Sequence, residues 1–292
     1  MNHLPEVFQV GIASPDEFAS PYRWVNYEEG NTCPVLHARF ALQNGRVFDG
    51  YAKLLDLQTA AGQAEYLNEI TGWLIAKACG LPVAPSAFLA GISASDLPDC
   101  KAVRDAVSGS GSTLYFFCTE AVSPSQARGI VANEALVTEQ FAWPFCHATI
   151  ALDEWLGNAD RHVHNFVRRA KNDFVLIDHG QLLRRTDTPP WWRAGELSSL
   201  QETFFANKLH SNVYLYANVS EPSKVTLGYQ KSTQSATAQG DNMRRALHEI
   251  AYWCKVIAPG QSAEWLAFLL ARCEQADTLL CKRFGQLQLS HA

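Results

Sequence analysis

The stretch LGNADRHVHNFVRRAKNDFVLIDHG, residues 156–180, decides how this chain is read. Asp160, Arg161, His162 and Asn165 fall within six residues, and a short apolar run, DFVLID, then leads to Asp178. A carboxylate at the end of an apolar strand is costly unless something satisfies it. Carboxylate and amide oxygens together suit Mg²⁺, a hard cation usually held by one or two carboxylates plus substrate phosphates. A loop presenting Asp160 and Asn165, with a strand returning Asp178 beside them, is therefore a candidate metal centre.

Upstream, residues 34–55 hold two β-rich runs around Gln43-Asn44-Gly45, a strong hairpin signal. Tyr51, Lys53 and Leu55 share one face of the second strand, because side chains alternate. A lysine there is either on a solvated face or functional. DLQTAAGQ (56–63) reads as a small-residue loop. Leu67, Ile70, Trp73, Leu74, Ala78 and Cys79 then recur at helical spacing, so an amphipathic helix is expected, ended by Gly80 and followed by Pro82 and Pro85. Glu69 lies one residue from its apolar stripe.

Phosphoryl transfer needs metal ligands, a carboxylate for the acceptor hydroxyl and a cation on the nucleotide phosphates. One candidate stands for each: Asn165 and Asp178 for the metal, Asp160 as base, Lys53 as cation. Glu69 would orient Lys53, the strand-lysine and helix-glutamate arrangement of protein kinases.

The residues Asn158-Ala-Asp160-Arg161-His162-x-x-Asn165, followed by Ile177-Asp178-His179-Gly180, resemble the catalytic loop and metal motif of HipA-like and phosphoinositide-kinase-like kinases. YAKLL, then NEITGWLIAKACGLPVAP and a strand, resemble the N-terminal lobe of short bacterial HipA-like kinases. The resemblance spans roughly residues 34–185. It implies ATP and Mg²⁺ as ligands, Asp160 as the catalytic Asp, Asn165 and Asp178 on the metal, and Lys53 on ATP. It implies that His162 supports the loop or the transferring phosphate. Phe117, Cys118, Thr119 and Glu120 would offer backbone hydrogen bonds to adenine. A clear glycine-rich phosphate loop is missing, and Gly45, Gly50 or the Ala60-Ala61-Gly62-Gln63 stretch could take its place.

The order of elements is strands, helix, strands, then helices. The expected fold is α+β and two-lobed, protein-kinase-like, with a strand-rich N-lobe over 1–122 and a helical C-lobe over 123–292. Further expectations are a loop-rich 92–113 ending in SGSGST (a linker or a phosphate-binding turn), a strand at 113–122 and one long helix over 140–158 with Pro144 early in it. Residues 186–242 read as irregular, and two helices close the chain.

The net charge of −5 gives no field favouring nucleic acid or anionic membrane, although RRTDTPPWWR (184–193) could form a local basic patch. No basic segment precedes an apolar core at the N-terminus, and no window is apolar enough to span a membrane, so a cytoplasmic protein is expected. Eight Cys without a C-x-x-C pair read as free buried thiols rather than a zinc site. His162 and His164 leave a Zn²⁺ or Fe alternative, which would need further ligands. Arg161 is expected to brace the loop through a nearby carboxylate, Asp153 and Glu154 to be solvated or helix-bracing, and His179 to be a turn residue or a partner of the site.

The leading expectation is a HipA-like serine/threonine kinase with a protein substrate, and with an antitoxin-like or regulatory protein as a further partner. Two alternatives stand: a kinase for a small molecule or lipid head group, and a catalytically silent kinase-like toxin or effector module.

Overall fold

The computed structural model describes residues 8–25, 34–110, 112–122, 133–158, 160–182, 224–225, 227, 240–260 and 262–283. The chain is α+β. Six strands form one sheet: β1 (Gly11–Ala13), β2 (Phe18–Val25), β3 (Val35–Ala41), β4 (Val47–Leu54), β5 (Ala87–Ser93) and β6 (Thr113–Glu120), in the order β1-β5-β6-β4-β3-β2. All neighbours are antiparallel except β1 on β5. The expected hairpin is β3–β4, turning at Gly45 with a positive φ of 82°. Strands β1 and β2 are additions to the sequence reading. Pro21 and irregular pairing at Phe18/Ser20 and Pro21/Arg23 break the alternation by which strands are recognised.

Helix α1 (Ala60–Ala78) begins four residues before the expected start. Thr59 is its N-cap, with Oγ1 accepting from the Gly62 N–H at 3.1 Å. The Ala60–Gln63 stretch is therefore its first turn and not a loop. A Cβ on Gly62 would lie 2.0 Å from the Asp56 carbonyl oxygen, so the glycine lets the β4–α1 connection close. Fourteen of the 19 residues of α1 are buried. It is enclosed on nearly all sides, unlike the one-faced amphipathic helix that the spacing of its apolar residues suggests.

On one side α1 meets the sheet, where Tyr66 packs edge-on against Phe117. On another it packs against α5 (Gly240–Ile257), and its core continues into α4 (Cys146–Leu156) and α6 (Ser262–Arg283). Tyr66, Leu67, Ile70 and Leu74 share a core with Ile150, Trp155, Ile250, Trp253, Trp265 and Phe268. Trp265 Nε1 also donates to Thr71 Oγ1 at 3.1 Å. This core runs continuously across residue 122, the expected lobe boundary. A second core covers the other sheet face, where Phe40, Phe48, Phe88 and Phe116 pack beneath α2 (Lys101–Ser110).

Two expected elements differ. Residues 92–113 contain α2, which runs through Ser108-Gly109-Ser110 of the supposed linker. The single long helix is two, α3 (Asn133–Ala142) and α4, parted by Trp143-Pro144-Phe145, where proline denies the ladder an N–H. A two-stranded ribbon, β7 (Phe166–Ala170) and β8 (Asp173–Leu176), follows α4. The RRTDTPPWWR run and nearly all of 186–239 lie outside the described residues.

Among the described residues, no helix is long and apolar enough to cross a membrane. Cys79, Cys100, Cys118, Cys146 and Cys254 are buried free thiols, and Cys273 is a partly buried one.

Glycine to alanine inside a helix normally stabilises by up to about 1 kcal/mol. Gly62→Ala should reverse that sign and cost about 1–3 kcal/mol through the clash with Asp56. Urea unfolding of the variant against wild type measures it.

Candidate functional site

Lys53 sits on the β4 face that looks toward α1, opposite Val35 of β3 and Phe117 of β6. Its side chain is only 14 % exposed, which removes the solvated-face alternative. The Nζ lies 3.0 Å from Glu69 Oε1, 3.0 Å from Asp178 Oδ1 and 2.8 Å from Glu65 Oε1. Residues 16 and 125 positions apart in sequence thus meet on one ammonium. Glu65 had no part in the sequence reading. The available signal was its place one helical turn before Glu69.

The Asn68-Glu69 pair fastens the segment after β8. Glu69 Oε2 accepts from the His179 N–H at 2.8 Å, and Asn68 Nδ2 donates to the Gly180 and Leu182 carbonyls at 2.8 and 2.9 Å. Asp178 has a φ of 58°, a left-handed conformation that aspartate tolerates better than most residues. Its side chain remains partly exposed. Strained backbone of this kind is held only where surrounding contacts determine it.

The catalytic-loop candidates lie directly beside this segment. Helix α4 ends at Gly157 in the left-handed conformation, and Arg272 donates to the last carbonyls, to Trp155 O at 2.8 Å and to Glu154 O. Asn158 takes the Asp160 N–H on its Oδ1 at 3.1 Å and donates to Asp153 at 3.0 Å. Asn165 Nδ2 donates to Asp160 O at 2.9 Å, while Asn165 O accepts from the Ile177 N–H at 3.1 Å. Asp160, Asn165 and Asp178 therefore belong to one hydrogen-bonded framework, with the Asn165 amide oxygen left as its acceptor end.

Arg161 joins the two halves. It is fully buried and pairs with Asp153 through both Nε and Nη2 at 3.0 Å. Its Nη1 donates to Ile177 O at 2.8 Å, and its Nη2 lies 3.2 Å from His179 Nδ1. This is the bracing role expected of Arg161. Asp153 and Glu154 are buried rather than solvated, Asp153 as the counter-charge of Arg161. His179 is also buried, and a Cβ on Gly72 of α1 would lie 2.2 Å from its Cβ. Burial, then the nearby Arg161 charge, hold the His179 imidazole well below its ordinary pKa, so it is neutral.

His162 is exposed, and its Nδ1 accepts from the His164 N–H at 3.3 Å. Among the described residues, no group of three or more His, Cys, Asp or Glu is placed to hold a metal ion, so the His162–His164 pair finds no further ligands there.

Two expectations about the nucleotide are corrected. Phe117, Cys118, Thr119 and Glu120 lie in an interior strand. The bonds Leu55 N→Tyr115 O and Ala121 N→Asp49 O put Phe117 and Thr119 on β4, and Glu120 N→Ser86 O puts Cys118 and Glu120 on β5. The sheet uses the backbone groups of Phe117, Cys118 and Thr119 and the N–H of Glu120, which leaves adenine only the strand end from the Glu120 carbonyl onward.

The glycines proposed as a phosphate cradle are misplaced as well. Gly45 is at the opposite end of β4 from Lys53, beyond the Ala41–Val47 pair and about 20 Å away at strand rise. Gly50 faces the second core, where a Cβ would meet the Phe40 ring at 3.2 Å. The strand ends that flank Lys53 are Val25 and Val35, and the connection between them falls outside the described residues.

Electrostatically, Lys53, Glu65, Glu69 and Asp178 sum to −2 when fully ionised (+1 −3). Burial pushes Glu69 up to about 7 despite Lys53, with Asp178 adding repulsion. Burial also raises Asp178, but the Lys53 charge and hydrogen bond, helped by Arg161, outweigh it and hold it at about 2. A carboxyl raised in the fold binds more protons folded than unfolded between its two pKa values. Glu69 therefore contributes stability below about 4.5 that is lost as pH rises to about 7. Between pH 5 and 8 the wild type should lose melting temperature relative to Glu69→Gln. Parallel thermal melts check this. Asp153→Ala leaves the Arg161 charge buried without its partner, so it should cost about 3–5 kcal/mol in denaturant unfolding.

The chain matches no known protein-family model, and no curated protein matches it.

Proposed function

We propose that the chain is an ATP-dependent phosphotransferase of the HipA-like kind, moving the γ-phosphoryl group of ATP to a serine or threonine hydroxyl of a protein. One observation carries the reading: the Lys53 ammonium, 3.0 Å from both Glu69 of α1 and Asp178 of the segment after β8. A strand lysine paired with a helix glutamate, beside a metal-binding aspartate, is what kinase chemistry requires to be in place together.

The donor set suits Mg²⁺. Asp178 and the Asn165 amide oxygen are hard ligands, and the local excess of negative charge calls for a cation. Bound there, Mg²⁺ would neutralise charge on the triphosphate. The protein's own groups do the rest. Lys53 holds phosphate oxygens, with Glu69 aiming it. Asp160, positioned through Asn158 and Asn165, accepts the proton of the attacking hydroxyl. A new P–O bond forms to that oxygen while the bond to ADP breaks. His162, exposed beside Asp160, is available to the transferring group or the acceptor.

With labelled ATP and Mg²⁺, wild type should label itself or lysate proteins. Asp160→Ala should lower transfer by about 10²- to 10⁴-fold, the usual worth of general base catalysis. Asp178→Ala should abolish it. Normal transfer in both variants would refute the assignment. Label confined to a small-molecule or lipid fraction would keep the chemistry and change the acceptor.

A further inference from the structure

Lysine has three N–H donors. At Lys53 three carboxylate oxygens lie within 3.0 Å: those of Glu69 and Asp178 accept hydrogen bonds, and Glu65 Oε1 crowds the ammonium as an ion-pair partner at 2.8 Å. For Lys53 to hold a phosphate oxygen, one carboxylate has to give way. Glu69 is the most deeply buried of the three, and its second oxygen is taken by the His179 N–H. Asp178 is positioned by its own left-handed backbone and by the Arg161 and Asn165 bonds to the adjoining Ile177. Glu65 is more exposed than Glu69, and its Oε1 also accepts from Gln181 Nε2 at 3.3 Å, a side chain able to move with it. Gly180 makes room for the contact: a Cβ there would lie 2.8 Å from both Glu65 Cγ and Lys53 Nζ.

We propose that Glu65 is a displaceable stand-in for a phosphate oxygen. Its carboxylate occupies the place beside the Lys53 ammonium until a triphosphate arrives, then swings away, so that Glu65 sets nucleotide affinity. The inference rests on the kinase reading of Lys53. It adds a residue outside the lysine–glutamate–aspartate set and gives it a competing role. The charge balance supports the direction. A triphosphate entering a cluster with surplus negative charge is repelled, and moving Glu65 off the ammonium both clears its approach and lessens the local negative charge.

The experiment is equilibrium binding of Mg-ATP, and of tripolyphosphate as an adenine-free probe, to the full chain. Wild type, Glu65→Gln, Lys53→Met and the double variant are compared, with thermal melts to establish folding and Glu65→Ala as a second truncation. Glu65→Gln should bind both probes about tenfold more tightly than wild type, a typical coupling between sites. The gain should vanish on the Lys53→Met background, which a purely structural role for Glu65 would not produce. If wild type binds Mg-ATP and neither Glu65 variant tightens it, the stand-in role is wrong and the kinase reading survives. A gain for ATP but not for tripolyphosphate would also overturn it, by placing the effect away from the phosphates. Failure of every folded variant to bind either probe would overturn this inference and the proposed function together.

Discussion

The site depends on how one ammonium is held between a strand, a helix and a loop. Lys53 lies on β4, Glu65 and Glu69 on α1, and Asp178 beyond β8. Drawing these charges out of water costs several kcal/mol per ion, and only close opposite charge with good geometry offsets it. The ions therefore cannot be separated cheaply. If α1 shifts against the sheet, or the 177–180 segment moves off α1, carboxylates are left buried without a counter-charge. The same cluster also fixes how the sheet meets the helical layers. The continuous core around Tyr66, Trp253 and Trp265 joins the same layers.

Arg161 plays the complementary part from the other side. A lysine could pair with Asp153, but only the planar fork of a guanidinium can at once reach the Ile177 carbonyl and the His179 ring. The loop carrying Asp160 and the segment carrying Asp178 are therefore tied to one guanidinium. Deep burial of both Arg161 and Asp153 makes the link strong and costly to break. It also explains why α4 is so apolar up to Asp153: the helix end is a buried platform, and its last carbonyls are satisfied by Arg272 from α6.

Much of this was legible in the sequence, for physical reasons. Asn44-Gly45 encodes a turn in two residues, and the strand alternation after it puts Lys53 on one face. Asp160, Asn165 and Asp178 stand out because polar groups beside an apolar strand must be satisfied. What stayed hidden depends on longer-range facts. The ladder phase that occupies the backbone of Phe117 to Glu120 is set by Ala121–Asp49 and Glu120–Ser86 pairing, which no local pattern reveals. Gly45 and Gly50 were plausible phosphate glycines until the register placed one at the far end of β4 and the other on the opposite face. Ser108-Gly109-Ser110 resembled a linker because its helix is held by packing against the second core, not by propensity. Glu65 escaped notice because a glutamate early in a helix is ordinary. Only the position of Gly180 makes it part of the site.

The balance of charge carries the argument furthest. A site built only to be stable would match one ammonium with one carboxylate. Here three converge, and the most buried, Glu69, responds by holding its proton up to about pH 7. That frustration is expensive in a protein whose net stability is small. Such strain usually marks a functional site. A cluster with surplus negative charge gains from a divalent cation. A crowded lysine gains little until one partner leaves. For the proposed kinase, these conditions would favour joint arrival of metal and triphosphate over either alone, since the metal would offset the carboxylates while the phosphate takes the place beside the ammonium.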